Sequence, residues 1–135
     1  MSQCYGVPGL QLQAGGNIYP SRVVCLSTTL DNTVNQSASN TSPNIGISQP
    51  GTNLAPGFDT LGYAATVNQN IMVFSVGSVA PLELAGTSTR GDILTSDSNG
   101  RGLTTTTTAD RCIGFLMESG GANDLVQVLV ALFVF

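Results

Sequence analysis

The chain has no histidine, no lysine and no tryptophan, and its only cations are Arg22, Arg90, Arg101 and Arg111. Without histidine there is no Ser-His-Asp or Cys-His arrangement; without lysine there is no Schiff base, P-loop or Ser-Lys dyad. Four scattered arginines against eight carboxylates leave a net charge of −4, which argues against nucleic acid as a partner because phosphate neutralisation has little to work with. Charged residues make up only 9% of the chain, where about 25% is usual. No apolar run approaches the roughly 20 residues that span a bilayer, so no membrane segment is expected. The three cysteines, Cys4, Cys25 and Cys112, are odd in number and show no C-x-x-C spacing, which points to reduced thiols. The opening MSQCYGVPGLQL has neither a basic n-region nor an apolar h-region, against a secretory signal.

The missing charge is replaced by 13 Ser, 15 Thr, 10 Asn and 7 Gln, a third of the 135 residues. Hydroxyls and amides hydrate a β-rich surface and cost far less than unpaired charges when a partner covers them. This composition suits an assembly protein. The length allows one domain with one core.

The clearest local signals lie in residues 91–134. An apolar run at 93–96 leads into Asp97-Ser98-Asn99-Gly100, read as a tight hairpin turn with Asn-Gly supplying two positive-φ residues, and 103–108 returns. Residues 112–118 form a further apolar run, broken by Gly120-Gly121 before the final run from Leu125. Upstream, 22–27 and 33–38 read as paired strands around Asp31-Asn32, and Ile45-Gly46-Ile47 as a short strand within an uncharged tract. Residues 49–59 carry two Pro-Gly dipeptides and form a loop, ordered only if Leu54 and Phe58 are buried. Runs at 61–67, 70–76 and 79–84 complete the set, with Pro81 confining the last to an edge or a strand start. No segment carries helical periodicity, so the expected class is all-β: one compact domain, a small barrel or sandwich, over residues 21–135.

Residues 1–20 mix Gly and Pro with Tyr5, Val7, Leu10, Leu12 and Tyr19, too little periodic apolar surface for a core element. They read as an extended N-terminal arm, the alternative being a frayed end. The final run LVQVLVALFVF is apolar on both alternating faces apart from Gln127. It implies a strand covered on both sides, either by a neighbouring subunit in a trimer or within a self-contained barrel, with Leu129, Leu132, Phe133 and Phe135 at that interface or core. A weak internal echo matches Ile45-Gly46-Ile47 to Ile113-Gly114-Phe115 and Cys25-Leu26-Ser27 to Ile93-Leu94-Thr95 at one offset of 68. Duplication and coincidence both accommodate it.

Other candidate chemistry has a simpler explanation in each case. Asp59, Glu83, Asp92, Asp97 and Asp110 sit at turns or strand ends, where carboxylates serve as turn residues. Residues 97–108 open like a calcium loop but place Arg101 and Thr108 where ligands belong. Arg90-Gly91-Asp92 spells an integrin-type tripeptide, yet Gly91 suits a turn. Asn35-Gln36-Ser37 and Asn40-Thr41-Ser42 fit glycosylation sequons in polar loops. No catalytic, cofactor-binding or metal-ligating residue is assigned, and the protein is expected to be no enzyme, with no cofactor and no small-molecule substrate.

RVVCLSTTLDNTVNQSAS, IGIS, DTLGYAATVNQNIMVFSVGSVAPLELAG, TRGDILTSDSNGRGL and RCIGFLMESGGANDLVQVLV, in that order, resemble the small capsid decoration (cement) proteins of tailed phages. The resemblance spans residues 18–130. It implies a compact β-domain, often trimeric, on the outer face of the head at threefold and quasi-threefold positions, made in the host cytoplasm during assembly. Its implied partners are the major capsid protein and the chain itself. Within that reading the arm residues Tyr5, Val7, Pro8, Leu10, Leu12 and Tyr19 grip the capsid. The tract 40–58 and the apolar tail after Val130 depart from the family pattern. A receptor- or glycan-binding module of a phage fibre, with Tyr5, Tyr19 and Tyr63 stacking on sugars, is the alternative from a different class.

Overall fold

A computed structural model describes residues 10–51 and 62–135. The described residues contain strands and no helix. They run β1 (Leu10–Ala14), β2 (Val23–Leu26), β3 (Thr33–Gln36), β4 (Asn44–Ser48), β5 (Asn70–Phe74), β6 (Val79–Glu83), β7 (Ile93–Ser96), β8 (Gly102–Thr104), β9 (Arg111–Leu116) and β10 (Leu125–Val134). β-branched residues dominate the buried positions and uncharged polar residues the turns, as an all-β chain requires.

The ten strands make two five-stranded units of one design. In the first, β1-β3-β2-β4-β5 close into a barrel, β1 lying parallel to β3 and antiparallel to β5. In the second, β6-β10-β9-β7-β8 form a sheet whose edges meet at one parallel bridge, Leu84 with Gly102. The registers coincide: Leu12 faces Ile71 as Leu82 faces Val126, Val23 faces Ile47 as Ile93 faces Phe115, and Ile47 faces Phe74 as Phe115 faces Leu129. Even the isolated bridges correspond, Ile18 with Ala65 and Ser88 with Gly120. The turns repeat too, with left-handed residues at Ser21 and Gly91, at Asn32 and Gly100, and at Asn68 and Asn123.

The internal echo is therefore a repetition of structure. Its Ile-Gly-Ile half is in register, since Gly46 and Gly114 are equivalent. The other half slips: β7 answers to β2 from Val23, not from Cys25, because the second hairpin is shorter than the first.

Each unit has its own buried cluster. Ile18, Val24, Val34, Ile71 and Val73 fill the first, with Leu12 and Ile45 against them. Leu82, Leu94, Ile113, Val126 and Val128 fill the second, which also takes in Val23 and Ile47 from the first unit, with Phe74 packed against it. The seam is polar at its margin. Arg22 donates to Glu83 (3.2 Å) and to the Asn99 carbonyl (2.8 Å), and Gln36 reaches the same carbonyl at 2.8 Å. Asp110, almost fully buried, accepts from Asn40 across the seam at 2.7 Å and from the Thr105 hydroxyl.

Four expectations are corrected. Residues 10–20 do not lie outside the body: β1 closes the barrel, and Ile18 is fully buried, because alternate residues Leu12 and Ala14 suffice for a short barrel strand. Residues 1–9, with Tyr5, Val7 and Pro8, lie outside the described residues, as do Leu54 and Phe58. Residues 62–67 are not a strand; Ala65 makes one bridge before a turn centred on Asn68. The hairpin after β7 is closed by the Asp97 amide donating to the Arg101 carbonyl (3.0 Å), and of Asn99 and Gly100 only Gly100 has positive φ. Asp97 stabilises it by accepting from the amides of Asn99 and Arg101, both at 2.8 Å. Finally, β10 does not alternate throughout: Val130 faces Gly114 but Phe133 faces Cys112, a one-residue bulge that breaks the period.

Gly46 and Gly114 test the repeat. A Cβ on Gly46 would collide with the Phe74 carbonyl oxygen, and one on Gly114 with the Leu129 carbonyl oxygen, so both ladders approach too closely for any side chain. Gly46→Ala and Gly114→Ala should each cost about 1–3 kcal/mol or more, measured by urea unfolding. Gly86→Ala, in open space, should leave the midpoint unchanged.

The thiols give a second test. Burial raises the pKa of Cys25; burial, with the Asp110 carboxylate adding to it, raises that of Cys112. A raised pKa means less thiolate at a given pH. Alkylation of both by iodoacetamide at pH 8 should be slower in the native protein than in urea, and equal rates would contradict this assignment.

Candidate interaction surface

Strand alternation sorts β10 into two faces before its bulge. Val126, Val128 and Val130 point into the core and are buried, while Leu125, Gln127 and Leu129 point out. The neighbours on the outer face are fixed by register. Leu129 lies between Val79 of β6 and Phe115 of β9, and Phe115 lies opposite Ile93 of β7. Val79, Leu129, Phe115 and Ile93 thus form an apolar row across four strands. Phe115 is 38% exposed, Leu129 39% and Val79 48%. The Phe133 ring stacks on Phe115 with centroids 5.5 Å apart, and Leu132, Val134 and Phe135 extend the exposed apolar area along the end of β10. A contiguous apolar surface of this kind marks a place where another surface docks.

Beside it lies a cleft of about 210 Å³ lined by Asn44, Arg111, Cys112, Leu132, Phe133 and Val134. Asn44 is 8% exposed, and neither atom of its side-chain amide has a partner. A larger open groove, of about 530 Å³, is lined mainly by hydroxyls, among them Ser39, Ser96, Thr104 and Thr107. Its carboxylates are already engaged, Asp97 with Arg101 and Asp110 with Asn40 and Thr105. Among the described residues no three His, Cys, Asp or Glu side chains gather in a way that could hold a metal ion.

Leu129, Leu132 and Phe133 come together on this surface with Phe135 at its end, each partly exposed rather than covered on both faces. Leu12 does not join an outward-facing arm, since it packs on the barrel core. Tyr19, 38% exposed, is held to the body: its ring lies 4.8 Å from that of Tyr63, and the Arg22 guanidinium sits over it at 5.1 Å. The hydrogen bond with Tyr63 raises the Tyr19 pKa, with Arg22 opposing. Phe115, Val79 and Ile93 escaped the sequence reading as surface residues. Arg111–Leu116 is apolar at nearly every position after its first, so alternation could not say which side faced out.

No family model matches the chain and no curated protein matches it. Among solved structures it is similar to the head fiber gp8.5 N base of bacteriophage phi29, with a TM-score of 0.57 at 15% identity over 91% of this chain and 92% of that one. At that identity the likeness shows the fold, which the two chains share over nearly their whole length.

Proposed function

We propose that this protein is a structural component of a tailed-phage virion, with no enzymatic activity, that sits on the outer face of the head as a homotrimer and cements neighbouring capsomers of the major capsid protein. The observation that carries this reading is the fold likeness, end to end, to the base of a phage head fiber, and the step from fold to role is an analogy. The surface supports it. A chain with 9% charged residues and net charge −4 can bury hydroxyls and amides against a shell without desolvating many charges, and it repels packaged nucleic acid. The exposed row around Phe115 and Leu129 supplies apolar area for contacts between subunits.

A cement subunit stabilises a shell by mass action, because its contacts must be lost before the capsomers it bridges can separate. Three subunits on one rigid body make each modest contact effectively intramolecular once the first has formed. The capsid-gripping segment is confined to residues 1–9, with Tyr5, Val7 and Pro8, since Leu12 is engaged in the barrel core and Tyr19 under Arg22. The glycan-binding alternative is weakened by the same geometry, because the Tyr19 and Tyr63 rings pack against each other at a tilt, with Arg22 over Tyr19, rather than offering a free platform.

The test is to mix the purified protein with undecorated capsids and sediment them. The full chain should co-sediment and raise the temperature at which the capsids open, and light scattering should give a trimer mass in solution. Deletion of residues 2–9, which leaves β1 whole, should preserve fold and trimer while reducing co-sedimentation at least tenfold. Unchanged decoration by the truncated chain would move the contact to the body, and no decoration by the full chain would refute the role.

A further inference from the structure

β10 runs on past the strand that pairs with it on one side. Its ladder with β6 covers Leu125 to Leu129, and Val130 closes that ladder by donating to the Ser78 carbonyl and accepting from the Gly77 amide, both at 2.9 Å. On the other side β9 continues, with Cys112 against Phe133 and Arg111 against Val134. Residues 131–134 therefore keep one strand edge that no strand among the described residues pairs. An edge of this kind offers a row of N–H and C=O groups to an added strand.

Three of those residues, Leu132, Phe133 and Val134, line the cleft of about 210 Å³, and Asn44 lines it from the first unit. Asn44 is 8% exposed, and neither its Nδ2 nor its Oδ1 has a hydrogen-bond partner. Buried polar groups left unpaired cost free energy and are uncommon. A carboxamide leaves a donor and an acceptor unpaired together, whichever way round it is set. A residue in an extended strand presents its own N–H and C=O to the same side, so one residue of a peptide can satisfy both. Arg111, exposed at the same cleft, takes no part in the two ion pairs of the described residues, Arg22 with Glu83 and Arg101 with Asp97. Its guanidinium is free for an anion. The cleft is smaller than the about 300–1,000 Å³ of a small-molecule pocket, a size that suits one anchoring residue of a longer strand.

We infer that this edge and cleft receive an extended acidic segment of the major capsid protein. The segment adds a strand beside residues 131–134, meets Asn44 with the N–H and C=O of one residue, and sets a carboxylate against Arg111. The chemistry selects the occupant: the edge requires a peptide backbone, the carboxamide a donor and an acceptor side by side, and the guanidinium an anion. A nucleic acid would supply only the last of these. The inference rests on the capsid-binding reading above and adds to it a contact on the body, separate from the one assigned to residues 1–9.

The test uses the full chain with undecorated capsids. Asn44→Leu exchanges an orphaned amide for an apolar group of similar shape, so its urea midpoint should equal or exceed that of the wild type while its affinity for capsids falls about tenfold or more. Arg111→Glu should lose as much, and Arg111→Lys should keep most of the binding. Hydrogen exchange over residues 131–134, read by mass spectrometry, should slow about tenfold or more when the wild type decorates capsids. If the wild type decorates them with exchange there unchanged, or if Asn44→Leu and Arg111→Glu bind as it does, the site is overturned and the role on the head stands. A lowered urea midpoint for Asn44→Leu would assign the amide to the fold and overturn its anchoring role. A wild type that leaves capsids bare would overturn the role and this site together.

Discussion

The fold depends on one unit completing the other. A five-stranded unit of this size has a high surface-to-volume ratio, and its two-faced strands cannot all be covered by its own small interior. The first unit turns the row Val23–Ile47–Phe74 outward, and the second unit takes that row into its own cluster. Burying a side chain such as Ile47 contributes about 1.5–3 kcal/mol, the same order as a sizeable share of a small domain's net stability. The polar margin, Arg22 with Glu83 and Asn40 with Asp110, sets the relative placement of the units, since a buried carboxylate left without Asn40 would incur a desolvation cost.

The same constraint explains why glycine is used where it is. For β4 to lie against β5 and β9 against β10 in equivalent registers, the backbone must come close at Gly46 and at Gly114, and in both places a carbonyl oxygen occupies the space of a side chain. The repeat survives large differences in sequence because what it conserves is geometric: a close approach, three left-handed turn residues and a common register. Ser21 stands where the second unit has Gly91, and Asn32 where it has Gly100. A short polar side chain that hydrogen-bonds locally tolerates that backbone, so the turn is kept without the glycine.

Much of this was legible from alternation and turn chemistry. The strands from β2 to β4 and from β5 to β10 were found because β-branched runs ended at Asn, Asp and Gly. β1 was missed because Gly and Pro surround it and its pattern, Leu-Gln-Leu-Gln-Ala, is short. Only the partner strand β5 shows that its apolar residues have a core to enter. The repeat was half visible, since Ile-Gly-Ile against Ile-Gly-Phe kept its register but the shortened hairpin shifted everything before it. The outer row was not visible at all. In β9 the inward and outward residues are equally apolar, so periodicity carries no information and only pairing to Leu129 assigns Phe115 to the surface.

The two units differ in what lies over this face. β5 and β10 are the same strand in two settings: Phe74 is packed beneath the second unit, while Leu129 at the same place faces out. An apolar residue at an exposed, register-fixed position carries a risk of nonspecific association, which a chain with few charges is poorly equipped to suppress by repulsion. The geometry limits that risk. The row crosses four strands of a sheet that twists with a fixed hand, is flanked by Gln127 and carries the Phe133 ring on Phe115, so a partner has to match its shape. Specificity in a weakly charged protein then leans on shape and backbone register, which act between its own two units together with the polar margin of Arg22, Glu83, Asn40 and Asp110.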